Sequence, residues 1–321
     1  MIKYALKRIL WLFPTIIIIS FIIFALLELT PGNIVDTIKG GDMTQEDIDR
    51  LYAEYDLDKS VLYRFGKYMY GLVQGDLGVS QFTKISVMEE FLRRFPNTII
   101  LSLSGLVIGN IIAVPLGIFA AKRAGKIWDT MTTTFSLIGM SMPNFWLGLL
   151  LIIWFSYRMR LFPAGGADGI ASFVLPAIST SFVMMATTAR QVRSSMLDNM
   201  RADYLRTARA KGVPERVVIN KHALGNAWIP VITVIGTTLS RTMAGSAVIE
   251  SVFSFPGIGK LTVDAVMRRD VTLACGCVIL TTIIYVILLL IVDLLYAIVD
   301  PRIKSIYATG ARKKKKARVA A

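Results

Sequence analysis

The spacing of its charges limits this chain more than anything else in it. Six stretches close to twenty residues long carry no Asp, Glu, Lys or Arg: Ile9–Leu27, Asn97–Ala121, Thr130–Tyr157, Ile170–Ala189, Ala223–Ser240 and Val271–Val292. Roughly 20 apolar residues in a helix cross the ~30 Å hydrocarbon layer of a bilayer. The fifth stretch continues past a single Arg241 to Ile249, and the apolar character of the sixth persists to Val299. With 54% of its 321 residues hydrophobic and 18% charged, the chain reads as an all-α, polytopic membrane protein of six spans. They are expected at 9–29, 97–121, 130–157, 170–189, 227–249 and 271–299, within a core of 97–303.

The first window follows Lys3, Lys7 and Arg8, as a signal peptide would. It is longer than a typical signal core and "LLELTPGN" offers no small-residue cleavage site, so it reads as a retained span. Orientation follows from Lys and Arg, which stay on the cytoplasmic side. With 1–8 inside, the inner segments 1–8, 122–129, 190–222 and 300–321 hold 3, 3, 8 and 8 of them. The outer segments hold fewer over a greater length, and the long one, 28–96, is rich in Asp and Glu. Both termini are therefore expected in the cytoplasm, with "RKKKK" (Arg312–Lys316) in a basic tail at 304–321. The net charge of +14 then reflects retained cytoplasmic cations and attraction to anionic lipid. It does not indicate nucleic acid, because no aromatic-interleaved basic fold accompanies it. Cys275 and Cys277 lie one residue apart on a helix and point in different directions, so they suit packing better than a disulfide or a metal clamp.

The external segment 30–96 is too long for a turn. Thr44 and Asp47 have capping-box spacing, and Ile48, Leu51, Tyr52 and Tyr55 recur with helical period, as do Leu62, Phe65 and Met69. Short amphipathic helices over the mouth of the protein are expected, as a lid or as a docking surface. The stretch "VIESVFSFPGIGKL" (Val248–Leu261), which leads into the expected outer loop at 250–270, misses the phosphate-loop pattern, with Ser254 at the first glycine position and Leu261 after Lys260. Polar residues inside spans point to a pathway; here they are few, chiefly Arg241, Asn144 and Asn110, with Asp293 expected to pair with a basic neighbour. Arg241 lies about 27 Å along its helix from Ala223, either snorkelling to the outer headgroups or facing a water-filled path. Pro143 is expected to kink the third span, and Gly105, Gly109 and Gly117 to allow close helix contact. A lone His222 cannot build a catalytic relay or a metal motif, so the chain is expected to hold no catalytic residue and no metal.

One stretch breaks the apolar pattern. "DYLRTARAKGVPERVVINKHALGNAWIP" (Asp203–Pro230) is basic and helical between spans, within an expected cytoplasmic loop at 190–226. Asp203 suits a helix cap, Gly212 a stop, and Pro214 the first turn of a second helix. The first helix, of about nine residues, is below the ~12–15 that are marginal alone, so other protein must hold it. Small Ala208 and Ala210 suit close approach to a groove, and Arg206, Arg209 and Lys211 suit acidic residues on a receiving surface. A loop packed only beneath its own spans is the alternative.

The motif "YLRTARAKG…NKHALGNA" resembles the cytoplasmic loop of bacterial ABC-importer permeases of the dipeptide, oligopeptide and nickel branch. "LKRILWLFPTIIIISFIIFALLELTPGN", "GLVQGDLGVS", "PNTIILSLSGLVIG", "VIESVFSFPGIGKLTVDAVMRRD" and "DLLYAIVDPRI" resemble further family motifs, in order, over most of the chain. The long outer loop resembles the first of the two permeases usual in such systems. Asn33 stands where Asp is common, Arg241 where a small or apolar residue is usual, and Arg206-Thr207-Ala208 where the general loop has Glu-Ala-Ala. The resemblance implies a type I importer fold in the bacterial plasma membrane, paired with a second, homologous permease. It implies two cytoplasmic ATPase subunits, which bind the ATP and Mg, and an extracytoplasmic substrate-binding protein. Residues Asp203, Tyr204, Leu205, Arg206, Thr207, Ala208, Arg209, Ala210, Lys211 and Gly212 would form the coupling element seated on an ATPase. Cofactors are expected in the partners, not in this chain. Peptide is the expected cargo, with nickel chelates, glutathione or oligosaccharides as alternatives. A secondary transporter, which would favour paired carboxylates or matched broken helices at mid-membrane, and a membrane scaffold are the competing classes.

Overall fold

The structure, a computed structural model, describes residues 2–39 and 43–299. The tail at 304–321 and the Asp300–Ile303 end of the closing motif lie outside the described residues. Helix α1 (Ile2–Leu29) is followed by the short outer helices α2 (Ile34–Ile38), α3 (Gln45–Glu54) and α4 (Val61–Val73). The core then runs through α5 (Val87–Lys122), α6 (Ile127–Ser141), α7 (Asn144–Leu151) with a π-helical continuation Ile152–Arg158, and α8 (Ile170–Met200). Helix α9 (Asp203–Ala210) precedes α10 (Glu215–Val217), whose π-helical extension Val218–Ala223 runs into α11 (Leu224–Met243). Short helices α12 (Ala247–Val252) and α13 (Ile258–Met267) lead to α14 (Val271–Val299).

Among the described residues, five helices are long and apolar enough to cross a membrane, and a bent pair brings the number to six if read as one span. That pair is the expected third span, which is not one kinked rod. Helix α6 and the α7 segment meet at 96°. Met142 is extended (φ −77°, ψ 127°) because the Pro143 ring excludes the helical conformation from the residue before it. Neighbouring spans also differ from expectation at their ends. Helix α8 does not stop at Ala189 but continues to Met200, since Val192, Ser195 and Met196 keep a buried face turned inward. The helix expected as the fifth span runs from Glu215 through α10 and α11 to Met243, and Gly245 (φ 102°) then turns the chain into α12.

The centre is the α5–α8 pair. A side chain on Gly105 or Gly109 would stand 3.0 Å from Thr180 Cγ2 or the Ser181 carbonyl, and one on Gly117 2.6 Å from the Ala189 carbonyl. With Ala113 fully buried between them, these residues form one small-residue stripe at a spacing of four, which lets the two backbones approach. Helices α11 and α14 pack alongside, and α1 lies outermost against α14. At the end of the bundle that holds the N-terminus, Arg8 of α1 is ion-paired with Asp293 of α14, which supplies the basic neighbour expected for that carboxylate. Cys275 and Cys277 are free and fully buried.

The outer helices form where capping and periodicity place them. Thr44 and Asp47 close a capping box at the start of α3. Helix α4 packs on the outer half of α1, with the Phe65 ring edge-on to Phe21 and Phe24 at 5.3 and 5.6 Å. Leu62, placed on the same stripe by its spacing, is instead 70% exposed, because α4 presents Phe65 and Tyr68 to α1 and leaves the first turn outside.

Candidate functional site

Helix α9 has two unlike faces. Leu205 is completely buried among Val192, Met196, Val218 and Ile219, and Ala208 is half-buried against the same cluster. Asp203, Arg206, Thr207, Ala210 and Lys211 are exposed. Ala208 therefore packs inward on its own chain, because it lies one turn after Leu205, and only Ala210 of the two small residues is presented outward. The N-cap is Ala202, without a side-chain cap bond. Asp203 is the first helical residue, where its charge complements the positive end of the helix, and it lies 3.6 Å from Arg206.

The C-terminus is closed by a Schellman motif. Val213 N–H donates to the Ala208 carbonyl at 3.2 Å and Gly212 N–H to Arg209 at 2.9 Å. Gly212 stands at φ 74°, the left-handed region that favours glycine. Arg209, expected to meet a partner, makes a bidentate pair with Glu215 at 2.9 and 3.0 Å, so it staples α9 to α10 across the Gly-Val-Pro turn. The Tyr204 hydroxyl donates to Asn199 Oδ1 at 2.9 Å and accepts from Asn226 Nδ2 at 3.0 Å. It ties α9 to the end of α8 and the start of α11. Sequence reasoning missed Asn199, Asn226 and Glu215, whose only local signal is an amide or acid beside a turn.

Two further contacts carry this hairpin into the spans. Lys122, closing α5, donates to Asn220 Oδ1 at 3.1 Å. Arg193 of α8 makes a bidentate ion pair with Asp129, which also accepts from Gly125 N–H at 2.9 Å. Asp129 is 4% exposed. Leu205 thus contacts α8 through Val192 and Met196, and α8 is joined to α6 through Arg193 and Asp129.

At the opposite end, Glu250 is fully buried and organises the Phe-Pro-Gly turn. Its carboxylate accepts from Thr98 Oγ1 at 3.1 Å and from Lys260 N–H at 2.9 Å, and Thr98 Oγ1 in turn accepts from Ile258 N–H at 2.9 Å. The Ile258 and Lys260 N–H groups belong to the first turn of α13, and Thr98 to α5, so a carboxylate sits at the positive end of α13 and joins it to α5. Burial nevertheless pushes the Glu250 carboxyl above its ordinary range, against the lowering effect of these bonds. Asp270, also fully buried, accepts from Ser80 Oγ at 2.5 Å, Phe82 N–H at 3.1 Å and Leu273 N–H at 3.0 Å. It precedes α14 and holds the Ser80–Phe82 turn that follows the Gly-Asp-Leu-Gly segment. The sequence signal for both was a lone acid inside an apolar motif.

The three polar span residues are not gathered. Asn110 is half-buried in α5, its amide N–H bonded to the Leu106 carbonyl at 2.7 Å and its Oδ1 buried without a partner. Asn144 begins α7, where its backbone carbonyl accepts from Ser179 Oγ at 3.2 Å. Arg241 is exposed in the last turn of α11. One turn beyond it, Ala244 and Gly245 border a cavity of about 270 Å³ shared with Thr262, Thr281, Thr282 and Tyr285. Among the described residues, no group of three or more His, Cys, Asp and Glu could hold a metal ion.

Family comparisons cover both halves of the chain. Residues 113–305 match the binding-protein-dependent transport system inner membrane component, and residues 1–102 match the N-terminal domain of such membrane components. The dipeptide transport system permease protein DppB of Escherichia coli K12 is 35% identical, over 95% of this chain and 99% of its own. The glutathione transport system permease protein GsiC of the same strain is 36% identical over 95% and 99%. The oligopeptide transport system permease protein AppB of Bacillus subtilis is 36% identical over 95% and 100%. A solved structure of the MetNI methionine ABC transporter, described as inward-facing, contains a chain matched over 95% of its length and 65% of this one. It shares the fold, with a TM-score of 0.55 at 18% identity. Related to these permeases from end to end, the chain belongs to the binding-protein-dependent transport system inner membrane components, multi-pass permeases of the bacterial inner membrane.

Proposed function

We propose that this permease forms one half of the translocation pathway of an ATP-driven importer of di- and oligopeptides, with α9 as the contact for a cytoplasmic ATPase. The observation that carries the reading is the division of α9. Leu205 is sealed into the chain's own core while Arg206, Thr207, Ala210 and Lys211 are offered outward. A helix this short, anchored on one side and polar on the other, is built to be pushed by something that docks on it. A second, homologous permease completes the pathway, two ATPase subunits bind ATP and Mg, and an extracytoplasmic binding protein delivers cargo. This chain performs no bond chemistry; it converts closure of the ATPases into movement of α8 and α6.

The relatives' names support peptide cargo, and GsiC supports glutathione, itself peptide-like. Arg241, one turn from the threonine-lined cavity, together with Asn110 and Asn144, is proposed to line the pathway or to face a partner. The test is the double variant Arg206→Glu with Lys211→Glu in the assembled transporter. Membrane insertion and ATPase assembly are scored beside uptake of a labelled dipeptide. Uptake reduced at least tenfold with the chain inserted is the expected result; uptake at the wild-type rate removes α9 from the mechanism. Competition by dipeptide, glutathione and oligosaccharide then ranks the cargo.

A further inference from the structure

A well-formed cavity lies outside the span bundle. It has a volume of about 410 Å³ and lies between the outer end of α1, helix α4, the Asp76–Lys84 segment and the start of α14. That volume is within the range of small-ligand sites. Its floor is apolar, with Phe24, Leu27 and Ile34 all under one-tenth exposed.

The charged groups on its wall are nearly all matched. Glu28 pairs with Arg64 at 2.7 Å, Asp56 with Lys67 at 2.5 Å, and Glu54 with Lys84 at 2.7 Å. One acid and one base on the wall have no ion-pair partner among the described residues. Asp76 accepts only from Gly78 N–H at 2.8 Å, and Arg269 donates to the Pro31 carbonyl at 3.0 Å. Eight buried side-chain polar atoms lack a hydrogen-bond partner among the described residues, and three belong to residues lining this one cavity: Arg64 Nε, Tyr68 Oη and Gln81 Oε1. Two of these are donors and one an acceptor. Of the five non-glycine residues in the left-handed region among the described residues, three also line it: Asp56, Lys84 and Arg269, at φ 53°, 59° and 62°. Such conformations cost about 1 kcal/mol or more each and persist where the surroundings impose them, often at ligand clamps.

We infer that this outer cavity binds a zwitterion, with Arg269 receiving its oxyanion, Asp76 its ammonium, and the apolar floor its hydrocarbon part. A free dipeptide and a phosphatidylethanolamine headgroup share this chemistry, and the cavity is open to both, since one wall is the outer end of a membrane-spanning helix. The inference does not rest on the import reading, because it concerns binding to the permease in the absence of the external protein and of turnover.

The test uses the assembled transporter, purified without its external binding protein. One arm measures saturable binding of labelled Gly-Leu against N-acetyl-Gly-Leu in nanodiscs of phosphatidylglycerol. The other measures retained phosphatidylethanolamine by native mass spectrometry after purification from membranes that contain it. Arg269→Gln and Asp76→Asn are compared with wild type. Asp76 is exposed, so its variant stays informative should the Arg269 change disturb the turn. One zwitterion per permease is expected in at least one arm, bound at least tenfold more weakly in Asp76→Asn, with the acetylated peptide failing to compete. Binding in the first arm identifies a peptide site, and binding in the second alone identifies a lipid site. Absence of both, or binding unchanged in both variants, overturns the inference.

Discussion

At the residue scale, the positions that tolerate least are those where a side chain has no room or no water. Gly117 faces Ala189 and Val192 at 2.6 Å from any added carbon, whereas nothing lies within 4 Å of Gly225. Gly117→Val is expected to cost about 1–3 kcal/mol by overpacking and to reduce the folded fraction in fluorescence-detected size exclusion, with Gly225→Ala indistinguishable from wild type. Glu250 gives a pH prediction. Its carboxyl is raised by burial from an ordinary 4.5, so folding favours its protonated form. Its contribution to stability is complete below about 4.5 and is lost as pH rises from there through the folded value. Thermal unfolding of the purified complex from pH 4.5 upward should show wild type losing stability relative to Glu250→Gln. Parallel curves would remove Glu250 as the source. Neither Glu250 nor Asp270 could be assigned from sequence, because an acid in an apolar motif reads equally as a surface loop residue until its donors are known. Those donors come from residues as distant as Thr98 and Ser80.

At the scale of single elements, α9 shows how much local chemistry can determine. Its end at Gly212 was legible, since the Schellman turn needs a left-handed residue and the chain supplies glycine there. Its faces were not. Periodicity in so short a helix cannot say whether Ala208 or Ala210 looks outward, and Leu205 decides the matter by burying itself between α8 and the α10 extension. Leu205→Ala removes the anchor, at a cost in the range of roughly 2–5 kcal/mol for truncating a buried leucine. Hydrogen exchange of residues 203–211 should accelerate strongly, with α5 and α8 unchanged, and dipeptide uptake should fall. Unaltered exchange would show that the Tyr204 and Arg209 contacts hold the helix without it. The break at Pro143 was anticipated as a kink and is a 96° turn; proline dictates where the helix stops, but α8 and α12, against which α7 packs, set its direction afterwards.

For the whole molecule, the proposed mechanical role requires the α9–α10 hairpin to be rigidly joined to the spans. The Asp129–Arg193 pair is one such joint. Asp129→Ala leaves a half-buried guanidinium without its partner, at roughly 1–3 kcal/mol, and should depress uptake with α9 intact. The exchange Asp129→Arg with Arg193→Asp should recover part of both stability and uptake; no recovery would mean that the pair acts only as packing. Orientation is tested by the two buried cysteines' silence. Against that low background, Thr44→Cys should react with an impermeant thiol reagent in intact cells and Arg206→Cys only after permeabilisation, and the reverse pattern would invert the topology. Sequence alone determined that the chain is a helical membrane protein and which turn ends α9, because charge spacing, capping and left-handed glycine are local properties. Tertiary structure alone decided which faces are presented and which ions are joined. Arg8 with Asp293, Thr98 with Glu250 and Asp129 with Arg193 are far apart along the chain. Inside a low-dielectric bundle, each charge must find its partner in space, wherever that partner stands in sequence.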